Sequence, residues 1–259
     1  MLKRPTLWVV LTFLGLACFA EIMDVARNGH PWGFPLDDAW IHMTFGRNWV
    51  NGLEFGINPG EPCPASTSVP WSLWLGVLHR VLGTFGLRAV IFGVKLSGVL
   101  LSVLALIGVM RIFSLFMGTP LSRLIAGLLV VSAYPLSWAA LSGMEVPLSV
   151  ALCVWALYFQ LKAGAPVSEG APPSRLAIPA VLLWAAAVPV RPENAVLFGI
   201  MLLLIAKNHE GSFLKNLAKL GLAAVPVFMV HIFICYYLIG SPVPSTFTAK
   251  MTDRAWPLL

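Results

Sequence analysis

Long apolar runs separated by short polar loops dominate the chain. The first covers about 7–23, behind Lys3-Arg4, and roughly 20 apolar residues suffice to cross a bilayer. Six more come later, over about 89–110, 121–141, 145–162, 176–190, 194–207 and 217–239. Between the first two runs the pattern becomes amphipathic. Over 38–51 a helical period puts Thr44, Arg47, Asn48 and Asn51 on one face and Ile41, Phe45 and Trp49 on the other, with Asp38 and His42 among the apolar groups. Over 70–83, Trp71, Trp74, Leu75, Leu78 and Leu82 form a stripe opposite Ser72 and His79, with Ser68 placed to cap and Pro70 in the first turn. Both stretches are short and rich in interfacial aromatics, which places them on the outer membrane surface. The pattern predicts an all-α polytopic bundle of about seven spans, with two interfacial helices in a first external loop over 24–88.

Composition strengthens this reading. The 259 residues are 58% hydrophobic and only 11% charged, with mean hydropathy +0.84, whereas soluble domains are about one quarter charged. The net charge of +6 reports topology, since no basic run interleaved with aromatics suits nucleic acid. With 70–83 on the surface, the inside loops carry Arg111, Arg123, Lys162, Arg175, Lys207, Lys215 and Lys219; with Lys3 and Arg4 that is about nine of 17 basic residues. Only Glu169 and Glu210, about two of 11 acids, join them. The bias predicts a cytoplasmic N-terminus, against which Arg27 and Arg88 dissent. If 70–83 spanned, most of these basic loops would lie outside. A cleaved leader ending near Cys18-Phe-Ala20 is the rival reading of the first run; under both readings the loop after it is external. Of four cysteines, Cys18, Cys153 and Cys235 read as core and Cys63 stands alone in a loop, in no metal or redox motif. The linker 164–174 is Gly/Pro/Ser-rich, and Pro189 and Pro192 split the two short runs around 191–193.

This topology gathers four motifs at one surface: Asp37-Asp38, Ser142-Gly-Met-Glu145, Arg191-Pro-Glu193 and Ser245-Thr-Phe-Thr-Ala-Lys250. Each also has a plain structural reading. Asp37 suits a helix N-cap, Ser142-x-x-Glu145 a capping box, Arg191 and Glu193 a local ion pair. His42 reads as a packed helix residue, Lys250 as a solvated loop lysine, and Lys95 as a residue that snorkels to the interface. The chemical reading joins them. A partly desolvated carboxylate beside another acid acts as general base toward a sugar hydroxyl, while arginine and lysine bind the phosphate of an anionic donor and stabilise it as it leaves.

The pattern Asp37-Asp38-Ala-Trp-Ile, Arg47-Asn48, Gly52, Asn58-Pro-Gly-Glu-Pro62, Ser66-Thr-Ser and Trp71-Ser-Leu-Trp74, continued by the three later motifs, resembles the GT-C superfamily of polytopic glycosyltransferases. It is most similar to the bacterial branch that includes mycobacterial terminal arabinofuranosyltransferases. The resemblance implies a seven-helix module in the bacterial inner membrane with an extracytoplasmic active site. It implies a polyprenyl-phosphate sugar donor, an external glycan, lipid or protein acceptor, and an inverting single displacement. It maps the catalytic base to Asp37 and Asp38, donor-phosphate contacts to Arg191, Lys250 and His42, and supporting acids to Glu145 and Glu193. Members of that superfamily continue beyond this module, so the expectation is a fragment, a split gene or a minimal form. Two other functions fit the composition: a transporter or flippase of lipid-linked substrates, with 191–193 at mid-depth, and a non-catalytic subunit or inactive remnant. No dedicated metal cage is legible. The Asp pair suits at most a divalent cation shared with water and a donor phosphate.

Overall fold

A computed structural model of the chain describes residues 4–28, 33–58, 66–164, 177–208 and 212–242. These form helices α1 (Arg4–Asn28), α2 (Asp37–Val50), α3 (Val69–Leu82), α4 (Leu87–Phe116), α5 (Pro120–Ser132), α6 (Tyr134–Leu141), α7 (Val146–Gly164), α8 (Ala177–Val190), α9 (Asn194–Asn208) and α10 (Phe213–Ile239), with a short 3-10 turn at Gly83–Phe85 and no strand among the described residues. The helices α1, α4, α7 and α10 are long and apolar enough to cross a membrane, and α5 with α6 makes a fifth crossing if the bent pair is one span. Their outward surfaces carry Trp8, Phe19, Leu100, Leu129, Leu222, Phe233 and Tyr237 exposed, an apolar display suited to lipid rather than water. The chain is therefore an all-helical protein with several candidate membrane spans.

The run 121–141 is not one straight helix. It breaks at Ala133, and the two pieces meet at 59°. Pro135 is the cause: it has no N–H to reach the Val131 carbonyl and its ring would clash there, so the first helix stops, Ala133 turns extended (ψ 111°), and a new helix starts at Tyr134 with the proline in its first turn. The helices α8 and α9, of 14 and 15 residues, rise only about 21–23 Å at ~1.5 Å per residue, short of a full hydrocarbon core.

Two packed groups make the bundle. In one, Val9, Phe13 and Ala17 of α1 meet Leu106 and Met110 of α4, Val131 of α5 and Ala140 of α6. In the other, Ala156 of α7 joins Ala180, Trp184 and Ala185 of α8, Ile205 of α9 and Ala224 of α10. The seam between them is α4 on α7, where Trp155 Nε1 donates to the Leu104 carbonyl at 3.0 Å. The α2–α3 pair lies across both groups: Met43, Trp71 and Leu75 pack on Val90 and Val94 of α4, while Phe45 and Val69 pack with Cys235 of α10.

Local expectations fared unevenly. Both amphipathic helices form within a residue of their predicted bounds. Asp38, expected among buried apolar groups, is exposed, and Asn48, expected on the polar face, is buried. A tertiary turn explains Asn48, whose Nδ2 donates to the carbonyls of Gly56 at 2.8 Å and Ile57 at 3.1 Å. Leu36, not Asp37, is the N-cap of α2, and Ser68 precedes α3 without a side-chain cap bond. Within α3, Ser72 is buried with Trp71 and Leu75, while Trp74 of the expected stripe faces out. Cys18 is exposed, Cys153 half-buried and Cys235 buried, so only Cys235 is a full core residue; Cys63 lies outside the described residues.

Candidate active site

Glycine contacts bring α2 and α3 together. Gly46 of α2 lies against α3 so closely that a Cβ there would stand 2.3 Å from the Ser72 carbonyl oxygen and 2.5 Å from Gly76 N. One turn before each glycine sit His42 and Ser72. Their side chains therefore meet, His42 Nδ1 to Ser72 Oγ at 2.9 Å, with Ser66 Oγ a further 2.9 Å on. All three residues are buried, His42 at 2% exposure.

A second contact docks this pair onto the turn before α7. Gly143 has φ +78°, where the absence of a Cβ matters. A Cβ there would also meet the Phe34 ring at 2.5 Å. The Trp71 indole donates to the Gly143 carbonyl at 2.9 Å. The turn held in this way is not a capping box. Ser142 Oγ donates to the Ala139 carbonyl at 2.8 Å and accepts from Met144 N at 3.2 Å, which leaves the Glu145 carboxylate free to face the α2–α3 pair.

Glu145 is the centre of the cluster. It is 4% exposed. Its Oε2 lies 3.4 Å from His42 Nε2, and its Oε1 lies 3.5 Å from Arg191 Nη1. Thr67 Oγ1 also approaches His42 Nε2, at 3.4 Å. The Oε2 contact is an ion-pair approach, and this buried oxygen has no hydrogen-bond partner among the described residues. Burial by itself pushes the Glu145 carboxyl up. Its contact with His42, its own backbone N–H, and the charges of His42 and Arg191 together outweigh burial and hold it below the usual range. Arg191 occupies the proline-flanked turn between α8 and α9, its N–H donating to the Ala187 carbonyl at 3.1 Å. Its side chain is 36% exposed and also reaches Glu193 Oε2 at 3.7 Å. Glu193, with its side chain 67% exposed, makes only a surface pair. Asn194 then fixes the turn from beneath, Nδ2 donating to Ser149 Oγ at 2.8 Å and the Ala187 carbonyl at 2.9 Å.

Of the residues singled out from sequence, His42, Glu145, Arg191 and Glu193 form one connected cluster at one end of α7. Asp38 stands one helical turn before His42 on α2, and Asp37 Oδ1 accepts from the Asp38 backbone N–H at 3.0 Å. Lys250 and its motif lie outside the described residues. Ser66, Thr67, Ser72, Trp71 and Gly143 also belong to the site, although the sequence gives none of them a role in it. Their only sequence signal is membership of the Ser66-Thr-Ser, Trp71-Ser-Leu-Trp74 and Ser142-Gly-Met-Glu145 stretches. Lys95 does not snorkel to the interface as its sequence position suggests. It is 6% exposed and its Nζ reaches Glu21 Oε1 of α1 at 2.6 Å. Among the described residues no three His, Cys, Asp or Glu side chains converge to hold a metal ion.

No protein-family model, curated protein or solved structure matches the chain.

Proposed function

We propose that the protein is a membrane glycosyltransferase of the GT-C type, moving a sugar from a polyprenyl-phosphate donor to an extracytoplasmic glycan, lipid or protein acceptor. One observation carries this reading: Glu145 touches both His42 and Arg191, at 3.4 and 3.5 Å, so three motifs remote in sequence join beside an acidic pair. In the reaction, an Asp37 or Asp38 carboxylate takes the proton of an acceptor hydroxyl. The hydroxyl oxygen bonds to the anomeric carbon as that carbon's bond to phosphate oxygen breaks, with inversion, and polyprenyl phosphate leaves. Arg191, part exposed and oriented by Glu145, neutralises the leaving phosphate, with Lys250 as its partner cation. His42 is buried and engaged on both ring nitrogens, which suits it to holding Glu145 rather than to binding phosphate itself. The finer arrangement belongs to the same proposal: about seven spans counting α8 and α9, with α2 and α3 lying on the extracytoplasmic face of a bacterial inner membrane.

The transporter alternative calls for charges at mid-depth. Arg191 instead meets Glu145, which immediately precedes α7. The test is sugar transfer from a polyprenyl-phosphate donor in proteoliposomes. Asp37→Asn or Asp38→Asn is expected to abolish transfer while insertion into the membrane is retained. Undiminished transfer by both variants overturns the assignment of the base.

A further inference from the structure

Away from this cluster, a cleft of about 590 Å³ opens between α1 and the α5–α6 bend, lined by Leu16, Phe19, Ala20, Met23, Asp24, Arg27, Val131, Ser132 and Ser137. Its size falls in the range of small-ligand sites, roughly 300–1,000 Å³. The bend at Ala133 creates it by swinging α6 away from the line of α5. Along α1 the lining is graded. Asp24 and Arg27 hold one end, and Met23, Ala20, Phe19 and Leu16 continue from there, a rise of about 16 Å at ~1.5 Å per residue. A charged mouth over an apolar floor fits a molecule with a polar head and a hydrocarbon tail.

Arg27 gives the second argument. It sits at the end of α1 remote from the basic loops, and like Arg88 it stands close to the end of a long apolar run on the side the charge bias disfavours. Its guanidinium stands exposed at the mouth of the cleft, and under the proposed orientation a lipid phosphate is the anion at that depth to meet it. Asp24, one turn earlier on the same helix, makes the mouth neutral overall. A neutral pair of opposite charges does not select an anionic lipid over a zwitterionic one. It selects a headgroup that carries both charges, phosphate toward Arg27 and a primary ammonium toward Asp24, whose carboxylate has acceptor capacity for more than one donor.

We infer that this cleft binds one phospholipid with a phosphoethanolamine headgroup, its headgroup on Asp24 and Arg27 and one acyl chain along Phe19, Ala20 and Leu16. The site is independent of the sugar-transfer reading, since it shares none of the residues of the Glu145 cluster.

The experiment is native mass spectrometry of the full chain released from nanodiscs containing equal parts phosphatidylethanolamine, phosphatidylglycerol and phosphatidylcholine. The expected result is one retained phosphatidylethanolamine per chain. Arg27→Gln is expected to weaken retention about tenfold, the equivalent of ~1.4 kcal/mol for a lost charge-assisted contact, and Ala20→Phe, which fills the floor, to abolish it. Arg88→Gln removes the other dissenting arginine, which does not line the cleft, and is expected to leave retention unchanged. Equal retention of the three lipids, displacement by millimolar inorganic phosphate, or retention insensitive to both Arg27→Gln and Ala20→Phe overturns the inference. None of these readouts depends on enzymatic activity.

Discussion

Single side chains act here through what surrounds them. Glu145 makes the case. Two carboxylates among the described residues, Glu145 and Glu193, contact Arg191, yet only Glu145 is buried, and low dielectric strengthens its hold on the guanidinium. Its carboxyl lies below the ordinary value of 4.5, so the unfolded chain binds the proton more readily than the folded one. The stability this contributes is complete above about 4.5 and is lost as pH falls through the lower folded value. Melting followed in detergent from pH 7 to 3 is expected to show Tm of the native protein falling below that point. Glu145→Gln is expected to flatten this part of the profile and to impair sugar transfer at neutral pH. A profile unchanged by the substitution contradicts the assignment. The sequence singled out Glu145 through Ser142-Gly-Met-Glu145. It did not show that the serine bonds back to Ala139 rather than capping α7, because a capping box and a back-bonded turn share one residue pattern.

At the scale of elements, the α2–α3 crossing decides the site. Its contact surface is glycine, and the neighbour of Gly46 is backbone, which cannot swing aside as a side chain does. Gly46→Ala is therefore expected to destabilise the protein by roughly 1–3 kcal/mol and to separate His42 from Ser72. The loss is read as a lower Tm and as loss of sugar transfer. The helices themselves were legible, since their period and length are local properties. Their crossing was not: Asn48 is buried because the carbonyls of Gly56 and Ile57 accept its amide, and Asp38, on the same face as buried His42, is exposed because it stands in the first turn of α2. The bend in the run 121–141 had a visible cause in Pro135. A continuous apolar stretch nevertheless reads as one span, since hydropathy is blind to direction.

For the whole molecule, the alternation of helices carries the ends of α1, α6, α8 and α10, and the beginnings of α4, α7 and α9, to one end of the bundle. Under the proposed orientation, with the four native cysteines replaced by serine, Glu193→Cys is expected to react with an impermeant maleimide from outside intact cells. Lys162→Cys is expected to react only after permeabilisation. The reverse pattern inverts the topology. Near that outer end the Glu21–Lys95 pair ties α1 to α4. Removing one member of a buried pair leaves the other charge unmatched, at a cost of roughly 3–5 kcal/mol, whereas replacing both is often neutral. Lys95→Met is expected to lower Tm markedly, toward the smaller figure because the Glu21 side chain is 24% exposed, and Lys95→Met with Glu21→Gln to recover most of the loss. No recovery in the double variant contradicts the pairing.

The sequence by itself determined the helical class, the long apolar runs with the length to cross a membrane, both amphipathic helices and the break at 191–193. Each of these comes from local hydropathy, periodicity and proline placement, which a linear chain displays in full. Tertiary structure alone decided which ionisable groups meet: that Glu145 lies between His42 and Arg191, that Lys95 finds Glu21, and that a bent α5–α6 opens a cleft beside Arg27. Such contacts depend on helix rotation and close backbone approach at Gly46 and Gly143, where a difference of one side-chain atom fixes the geometry and no periodic signal records it.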